Sequence, residues 1–107
     1  MKFMTRQEEM VLLGVYLQQG EVTLKDIRKY LIKQTSKDWS VSSVYVPLDR
    51  LTEGGFLSYR IGKPSGVRGG KAKKYYRISI EGIQALKDLR KLTDSMWKNA
   101  EELAFEG

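Results

Sequence analysis

The sequence predicts a mainly α fold (α+β) in which three helices precede a two-stranded β-hairpin and a long last helix. Three observations predict it. Apolar residues recur at helical spacing in three segments of the first half of the chain, each preceded by a capping residue. Two short runs of alternating side chains flank a glycine-rich basic segment, and a regular apolar stripe fills the C-terminal part. With 107 residues, the chain is long enough for one domain with one core.

The first helix is predicted to begin at Thr5, because Thr5 and Glu8 have capping-box spacing, and to end at Gly20. The residues of its wide apolar face are Met10, Val11, Leu12, Leu13, Val15, Tyr16 and Leu17. The second helix follows Thr23, a predicted N-cap, and fades near residues 34–37. The apolar residues at helical spacing along it are Leu24, Ile27, Tyr30 and Leu31. Trp39 is expected to be a core or turn residue after this helix.

The third helix is predicted to begin at Ser40 or Ser42 and to stop at Gly54 and Gly55. Its core-facing residues are expected to be Val44, Leu48 and Leu51. Pro47 removes one backbone donor, so it predicts a bend unless it lies near the first turn. The residues assigned to the face away from the core are Ser42, Ser43, Val46, Pro47 and Arg50.

The two predicted strands, residues 56–61 and 74–80, form a hairpin with a long basic tip. From Phe56 to Ile78 the chain has seven basic residues and no acidic one, so this segment carries the excess that makes the net charge +6. Such a concentration of positive charge favours a polyanionic partner. The alternative is a solvated loop whose charge has no partner.

The last helix is predicted to run from Ser79 or Ile80 to Phe105. Its apolar stripe extends further than three short helices and a hairpin can cover, which favours a twofold homodimer. The alternative is a helix that folds back on its own core. The residues predicted to form the dimer interface are Leu89, Leu92, Met96, Trp97, Ala100 and Leu103. We therefore expect residues 1–79 to form the main domain and residues 80–107 a dimerisation helix packed on it.

Composition argues against an enzyme and against a membrane protein. The chain has no cysteine and no histidine, so disulfides, thiolate zinc sites and the commonest general acid–base residue are absent. We expect no catalytic residue, no metal site and no cofactor. A phosphate-binding loop is also unsupported, because Gly70 and Lys71 are followed by Ala72 instead of Ser or Thr. No apolar stretch has transmembrane length and the first residues do not resemble a signal peptide, so a cytoplasmic location is expected.

Three helices followed by a hairpin and a further helix are the element order of a winged helix-turn-helix. In that arrangement the third helix enters the major groove of duplex DNA and the hairpin, the wing, reaches phosphates or an adjacent groove. The residues expected to contact DNA on this ground are Lys37, Ser42, Ser43, Val46, Arg50, Lys63, Arg68, Lys71, Lys73 and Lys74. A winged-helix module that binds a protein or RNA remains the alternative.

Two stretches resemble PadR-like transcriptional regulators. Residues 40–57 are similar to the recognition-helix region of that family, and residues 68–79, followed by Glu81 and Gly82, are similar to its wing. The resemblance covers about residues 8–105. It implies that Tyr45 and Tyr75 lie near the DNA backbone and that the last helix forms the dimer contact. It also implies a transcriptional regulator and suggests the hypothesis that a small aromatic effector releases it. Repression is expected instead of activation, because the DNA-binding and dimer elements leave no other predicted element to recruit polymerase.

Trp97 lies beside the apolar stripe, where its ring would form a wall for a flat aromatic ligand at the dimer interface. The alternative is that Trp97 only anchors the interface.

Overall fold

The computed structural model describes residues 3–63 and 72–103. The elements follow the predicted order, with α1 at Arg6–Leu17, α2 at Leu24–Thr35, α3 at Val41–Glu53, β1 at Leu57–Ile61, β2 at Lys74–Ile78 and α4 at Ile80–Glu101. The predicted contacts Arg68 and Lys71 lie outside the described residues, as does Phe105, where the last helix was expected to end. In the part of the chain that the structure describes, no helix has the length and apolar character needed to cross a membrane.

Side-chain caps explain where the helices begin. The Oγ1 atoms of Thr5 and Thr23 accept hydrogen bonds from the amides of Glu8 and Asp26, whose carboxylates accept from the two threonine amides in return. Ser40, and not Ser42, caps α3. The predicted N-caps of α1 and α2 are therefore confirmed. For α3, Ser40 is the N-cap because its hydroxyl accepts the hydrogen bond from the amide of Ser43, the third residue of the helix.

Ser79 ends the wing instead of extending it. Its hydroxyl accepts from the Gly82 amide and donates to the Gly55 carbonyl at 2.7 Å, so the residue caps α4. Phe56 is likewise outside β1, because its amide donates to the Leu51 carbonyl at 2.9 Å and closes the turn after α3. The predicted strand ends at residues 56 and 80 were wrong for these two reasons.

The core lies between α1, α2, α3 and the wing. Its fully buried side chains come from one face of each helix: Val11, Leu12, Val15, Ile27, Val44, Leu48 and Leu51. Trp39 is also buried, and its indole Nε1 donates to Thr35 Oγ1 at 3.0 Å, as expected for a core residue in the turn between α2 and α3. Arg28 Nε donates to the Trp39 carbonyl at 2.6 Å, which holds this turn against α2.

Pro47 is buried, so its assignment to the exposed face of α3 was wrong. Positions 44, 47, 48 and 51 repeat at helical spacing and form one apolar face, which places the proline ring in the core. The helix nevertheless continues past it to Glu53.

The wing is an antiparallel pair whose register places Tyr59 opposite Tyr76 and Ile61 opposite Lys74. An isolated antiparallel β-bridge, not predicted from the sequence, pairs Val22 with Tyr76. The Val22 amide donates to the Tyr76 carbonyl at 3.0 Å, and the Tyr76 amide donates to the Val22 carbonyl at 2.7 Å. The chain just before α2 is therefore fixed to the wing.

Helix α4 packs on the domain only through its first part. Gly82, Leu86 and Leu89 are buried, whereas every described residue from Arg90 onward is exposed. The principal dimensions of 65 × 29 × 21 Å reflect this projecting helix. Of the residues predicted to form a dimer interface, Leu89 is already covered within the chain, while the others lie on the projecting part.

Candidate nucleic-acid interface

The exposed face of α3 presents small and apolar groups. Ser42, Tyr45, Val46 and Arg50 are exposed, as the helical repeat predicts for residues away from the core. Ser43 is different, because it is half-buried and its hydroxyl donates to the Ser40 carbonyl at 2.7 Å. Its hydroxyl hydrogen is therefore committed to the start of the helix, which leaves Ser42, Tyr45 and Val46 as the accessible side chains near the N-terminal end.

The two faces of the wing differ. Tyr59, Ile61, Lys74 and Tyr76 share one face, which is the face that meets the core through Tyr76. Lys74 Nζ lies 4.6 Å from the centroid of the Tyr59 ring, and the Tyr59 and Tyr76 rings are 5.8 Å apart. The lysine is thus placed over an aromatic surface on the side of α3.

The opposite face of the wing contains Tyr75. Arg60 Cζ lies 4.6 Å from the centroid of the Tyr75 ring, and Arg60 also pairs with Glu21. A β-carbon at Gly62 would come within 2.5 Å of the same ring, so Tyr75 covers the Gly62 backbone closely. The structure therefore separates Tyr75 from Tyr45, although the resemblance places both near DNA.

A groove joins α3, the wing and the beginning of α2, and we call it the α2–wing groove. It has a volume of about 370 Å³ and is lined by Thr23, Leu24, Lys25, Tyr45, Lys73, Lys74 and Tyr76. Three of the predicted DNA contacts, Tyr45, Lys73 and Lys74, come together here. A lining that combines lysine and tyrosine side chains suits a sugar–phosphate backbone.

The other predicted contacts lie elsewhere. Lys37 is exposed in the turn between α2 and α3, and Lys63 is exposed after β1. Arg50 lines a separate groove, of about 450 Å³, together with Phe3, Met4 and Glu53.

Two titratable groups around the α2–wing groove have shifted pKa values. Burial raises the pKa of Tyr76, and the nearby Tyr45, Tyr59 and Asp49 add to the effect. The hydrogen bond from the Thr23 amide lowers the pKa of Asp26 below 3.8; burial opposes this, while the Thr23 hydroxyl and the charges of Lys29 and Lys73 contribute to it. Tyr76 therefore remains a neutral hydroxyl at neutral pH and Asp26 a carboxylate that is already hydrogen-bonded.

Sequence reasoning missed Tyr76, Thr23 and Lys25 as residues of this site. Tyr76 was predicted only as part of the second strand, and no role was predicted for Lys25. The sequence contained one feature that pointed to this site. Val22 and Thr23, two β-branched residues directly before the second helix, favour a short extended segment there. Across residues 3–63 and 72–103, no group of three or more carboxylates lies close enough together to hold a metal ion.

No protein-family model matches the chain, and no curated protein matches it in sequence. Solved structures do match. A transcriptional regulator from Clostridium thermocellum has a TM-score of 0.71 at 20% identity, over 92% of this chain and 90% of that chain. A PadR-like transcription factor from Bacteroides fragilis has a TM-score of 0.72 at 20% identity, over 89% and 88%.

Bacillus subtilis PadR, solved in complex with operator DNA, has a TM-score of 0.59 at 29% identity. The match covers 75% of this chain and 45% of that chain, so it spans less than half of that protein. The first two proteins are named as a transcriptional regulator and a transcription factor, and the third was solved with its operator DNA; none of the three is named as an enzyme.

The chain thus has the winged helix-turn-helix fold of transcriptional regulators. Within that class its fold is that of the PadR-like proteins, which confirms at the level of the fold the resemblance seen in residues 40–57 and 68–79.

Proposed function

We propose that this chain is a sequence-specific duplex-DNA-binding transcriptional regulator that acts as a homodimer. The observation that carries the proposal is the α2–wing groove, in which Tyr45 of α3 lies opposite Lys73 and Lys74 of the wing. A helix that reads the major groove and a wing that holds phosphates must contact adjoining parts of one duplex, and this groove joins them.

The exposed side chains of α3 support direct reading of base edges. Val46 offers a methyl group for contact with a thymine methyl, and Ser42 offers a hydroxyl to bases or phosphates. Bacillus subtilis PadR, which has a similar fold, was solved with its operator DNA. The same kind of partner suits the basic wing and the exposed α3 face of this chain.

The projecting part of α4 supports the homodimer. Met96 and Trp97 are 63% and 64% exposed, and Leu92 and Leu103 are exposed beside them. A stripe of this size on a helix that leaves its own domain requires cover from a second copy. A twofold axis through α4 would present two α3 helices to successive turns of the duplex, which are about 34–36 Å apart.

The proposed regulator acts as a repressor. An aromatic effector would act at the Trp97 side of the interface, where a planar ring can stack. Titration with planar aromatic compounds, followed by tryptophan fluorescence, tests this effector proposal. Emission unchanged by all of them would leave Trp97 as an interface anchor.

The decisive experiment selects bound sequences from a random duplex pool and then measures affinity by electrophoretic mobility shift. We expect a palindromic consensus and tighter binding to duplex DNA than to duplex RNA or single strands of the same sequence. Equal or tighter binding to RNA, or no enrichment of any duplex, would overturn the proposal and favour the RNA or protein module.

A further inference from the structure

We infer that Thr35 and Arg28 are positioning residues for base recognition, which act through Trp39 to fix the N-terminal end of α3 against α2. This inference rests on the proposed function, because it concerns how α3 is presented to DNA. Neither residue was among the predicted DNA contacts. Both lie on α2, and both bind Trp39, the residue directly before the N-cap of α3.

The Thr35 hydroxyl is fully used in hydrogen bonding. It donates to the Leu31 carbonyl at 2.7 Å, and it accepts from the Trp39 indole Nε1 at 3.0 Å and from the Lys37 amide at 3.2 Å. A hydroxyl offers one hydrogen and two lone pairs, so these three bonds use its whole capacity. The position therefore requires a hydroxyl, since valine has nearly the same shape but can make none of the three bonds.

Trp39 is held by both its side chain and its backbone. The residue is only 5% exposed, so loss of the Thr35 acceptor would leave a buried indole donor without a partner. Its carbonyl accepts the hydrogen bond from Arg28 Nε at 2.6 Å. Because an unpaired buried donor is costly, removal of the Thr35 hydroxyl should displace the indole ring and the backbone attached to it.

The N-terminal end of α3 begins directly after Trp39. Ser40 accepts hydrogen bonds there, from the Ser43 amide at 3.1 Å and, through its carbonyl, from the Ser43 hydroxyl at 2.7 Å. The accessible side chains of Ser42 and Val46 follow within the first two turns. Precise recognition tolerates displacements of only about 0.5 Å, whereas flexible lysines adapt to a phosphate. A displaced Trp39 should therefore weaken base contacts more than phosphate contacts.

The experiment compares Thr35→Val with Thr35→Ser, which retains the hydroxyl. Mobility shift gives the affinities for the selected duplex and for a duplex of unrelated sequence, and we call their ratio the specificity ratio. Thr35→Val should lower this ratio about tenfold, roughly the loss of one base contact, with affinity for the unrelated duplex kept within about twofold. Thr35→Ser should keep the wild-type ratio. A merely structural role would reduce both affinities in the same proportion, through the fraction of folded protein.

Thr52→Val is the matched control. Thr52 donates to the Leu48 carbonyl at 2.7 Å, as Thr35 does to the Leu31 carbonyl, but no described residue donates to the Thr52 hydroxyl. The variant removes the same kind of bond from the C-terminal part of α3, so it should leave the specificity ratio unchanged. An equal loss of specificity in Thr52→Val and Thr35→Val would overturn the positioning role.

The indole hydrogens report the contact directly, because the chain has only two tryptophans. Trp39 is buried and Trp97 is exposed, so in the wild type the Trp39 indole hydrogen should exchange with solvent much more slowly than that of Trp97. Thr35→Val should accelerate exchange at Trp39 only, and nuclear magnetic resonance measures it. A reduced specificity ratio with unchanged exchange at Trp39 would overturn the inference.

Arg28→Ala tests the backbone contact of Trp39, and it carries the test if Thr35→Val does not fold. Lys33→Ala, at an exposed position of the same helix, controls for the lost positive charge. Arg28→Ala should lower the specificity ratio and Lys33→Ala should not. Because Arg28 and Thr35 act through the same residue, their effects on the ratio should not add.

Two failures are distinguishable. If Thr35→Val or Arg28→Ala folds and keeps the wild-type specificity ratio, the positioning role is overturned while the regulator stands. Absence of any sequence preference in the wild type would overturn both the regulator and the positioning role.

Discussion

Val22 and Tyr76 exchange two backbone hydrogen bonds, of 3.0 and 2.7 Å, between the start of α2 and the second strand of the wing. This pair fixes the position of Lys73 and Lys74 relative to Lys25 and Tyr45. A two-stranded hairpin alone would be only marginally stable. The Val22–Tyr76 bridge and the packing of Tyr76 in the core stabilise the wing. The wing is therefore held in a fixed position relative to α3. A DNA-binding surface formed by both elements requires such a fixed position.

Charge reversal of the wing should weaken DNA binding without regard to sequence. The double variant Lys73→Glu/Lys74→Glu removes two exposed ammonium groups from the α2–wing groove. Because each phosphate contact contributes about 0.9 to the slope of log affinity against log salt, we expect that slope to flatten by roughly 2 per subunit. Fluorescence anisotropy over a range of salt concentrations measures it. Lys98→Glu, on the projecting part of α4, is the control; equal effects of the two changes would refute a specific role of the wing.

Shortening Val46 should change sequence preference instead of general affinity. Val46 is exposed on α3, so Val46→Ala should leave the free energy of unfolding nearly unchanged. If Val46 contacts a thymine methyl, the variant should lose about 1 kcal/mol at one base pair and bind nonspecific DNA as before. Repeating the duplex selection with the variant gives the result. An identical consensus from both proteins would exclude Val46 as a base contact.

Two glycine-to-alanine changes should have opposite effects on stability. A β-carbon at Gly82 would lie 2.3 Å from the Phe56 carbonyl oxygen and 2.8 Å from Ile78, so Gly82→Ala should lower the free energy of unfolding by about 2 kcal/mol. At Gly14 the nearest atom, of Tyr30, is 3.5 Å away, and alanine favours the helix by about 0.5–1 kcal/mol. Urea unfolding of both variants measures these values. Similar stability of the two would show that α4 does not approach Phe56 so closely.

A charge in the apolar stripe of α4 should dissociate the dimer. Met96 is exposed in the single chain, so Met96→Glu adds no clash within it but places a carboxylate at the proposed interface. We expect the variant to sediment as a monomer at concentrations where the wild type is a dimer. Its total tryptophan emission should shift to longer wavelength, because Trp97 loses its cover while Trp39 stays buried in the core. Lys98→Glu serves again as the control for added negative charge. A dimer that persists in Met96→Glu would place the interface elsewhere.

Acid should destabilise the start of α2 through Asp26. The pKa of Asp26 is lowered in the folded chain, chiefly because its carboxylate accepts the hydrogen bond from the Thr23 amide. The stabilisation is thus present above the unfolded pKa, about 3.9, and is lost as the pH falls through the lower folded value. Thermal unfolding from pH 6 to pH 2 should show a smaller loss for Asp26→Asn than for the wild type. Glu101→Gln, at the far end of α4, is the control, and an unchanged pH dependence in Asp26→Asn would contradict the assignment.

The helices and their beginnings could be predicted from the sequence because their causes are local. Thr5, Thr23 and Ser79 each stand three residues before the amide that their hydroxyl binds, and apolar spacing identifies the buried faces of α1 and α3. The basic character of the wing is likewise a property of one continuous segment. These features, with the element order, were enough to predict the winged-helix fold and DNA as its expected partner.

Only the tertiary structure decided which tyrosine of the wing belongs to the candidate site. Alternation along β2 places Tyr75 and Tyr76 on opposite faces, but it does not state which face meets the helices. That choice depends on Val22, distant in sequence, which pairs with Tyr76 and turns its side chain toward the core and the α2–wing groove. Contacts between residues far apart in the chain produce no periodic pattern in the sequence. Tyr76, Lys25 and the groove between them could therefore be identified only from the folded structure.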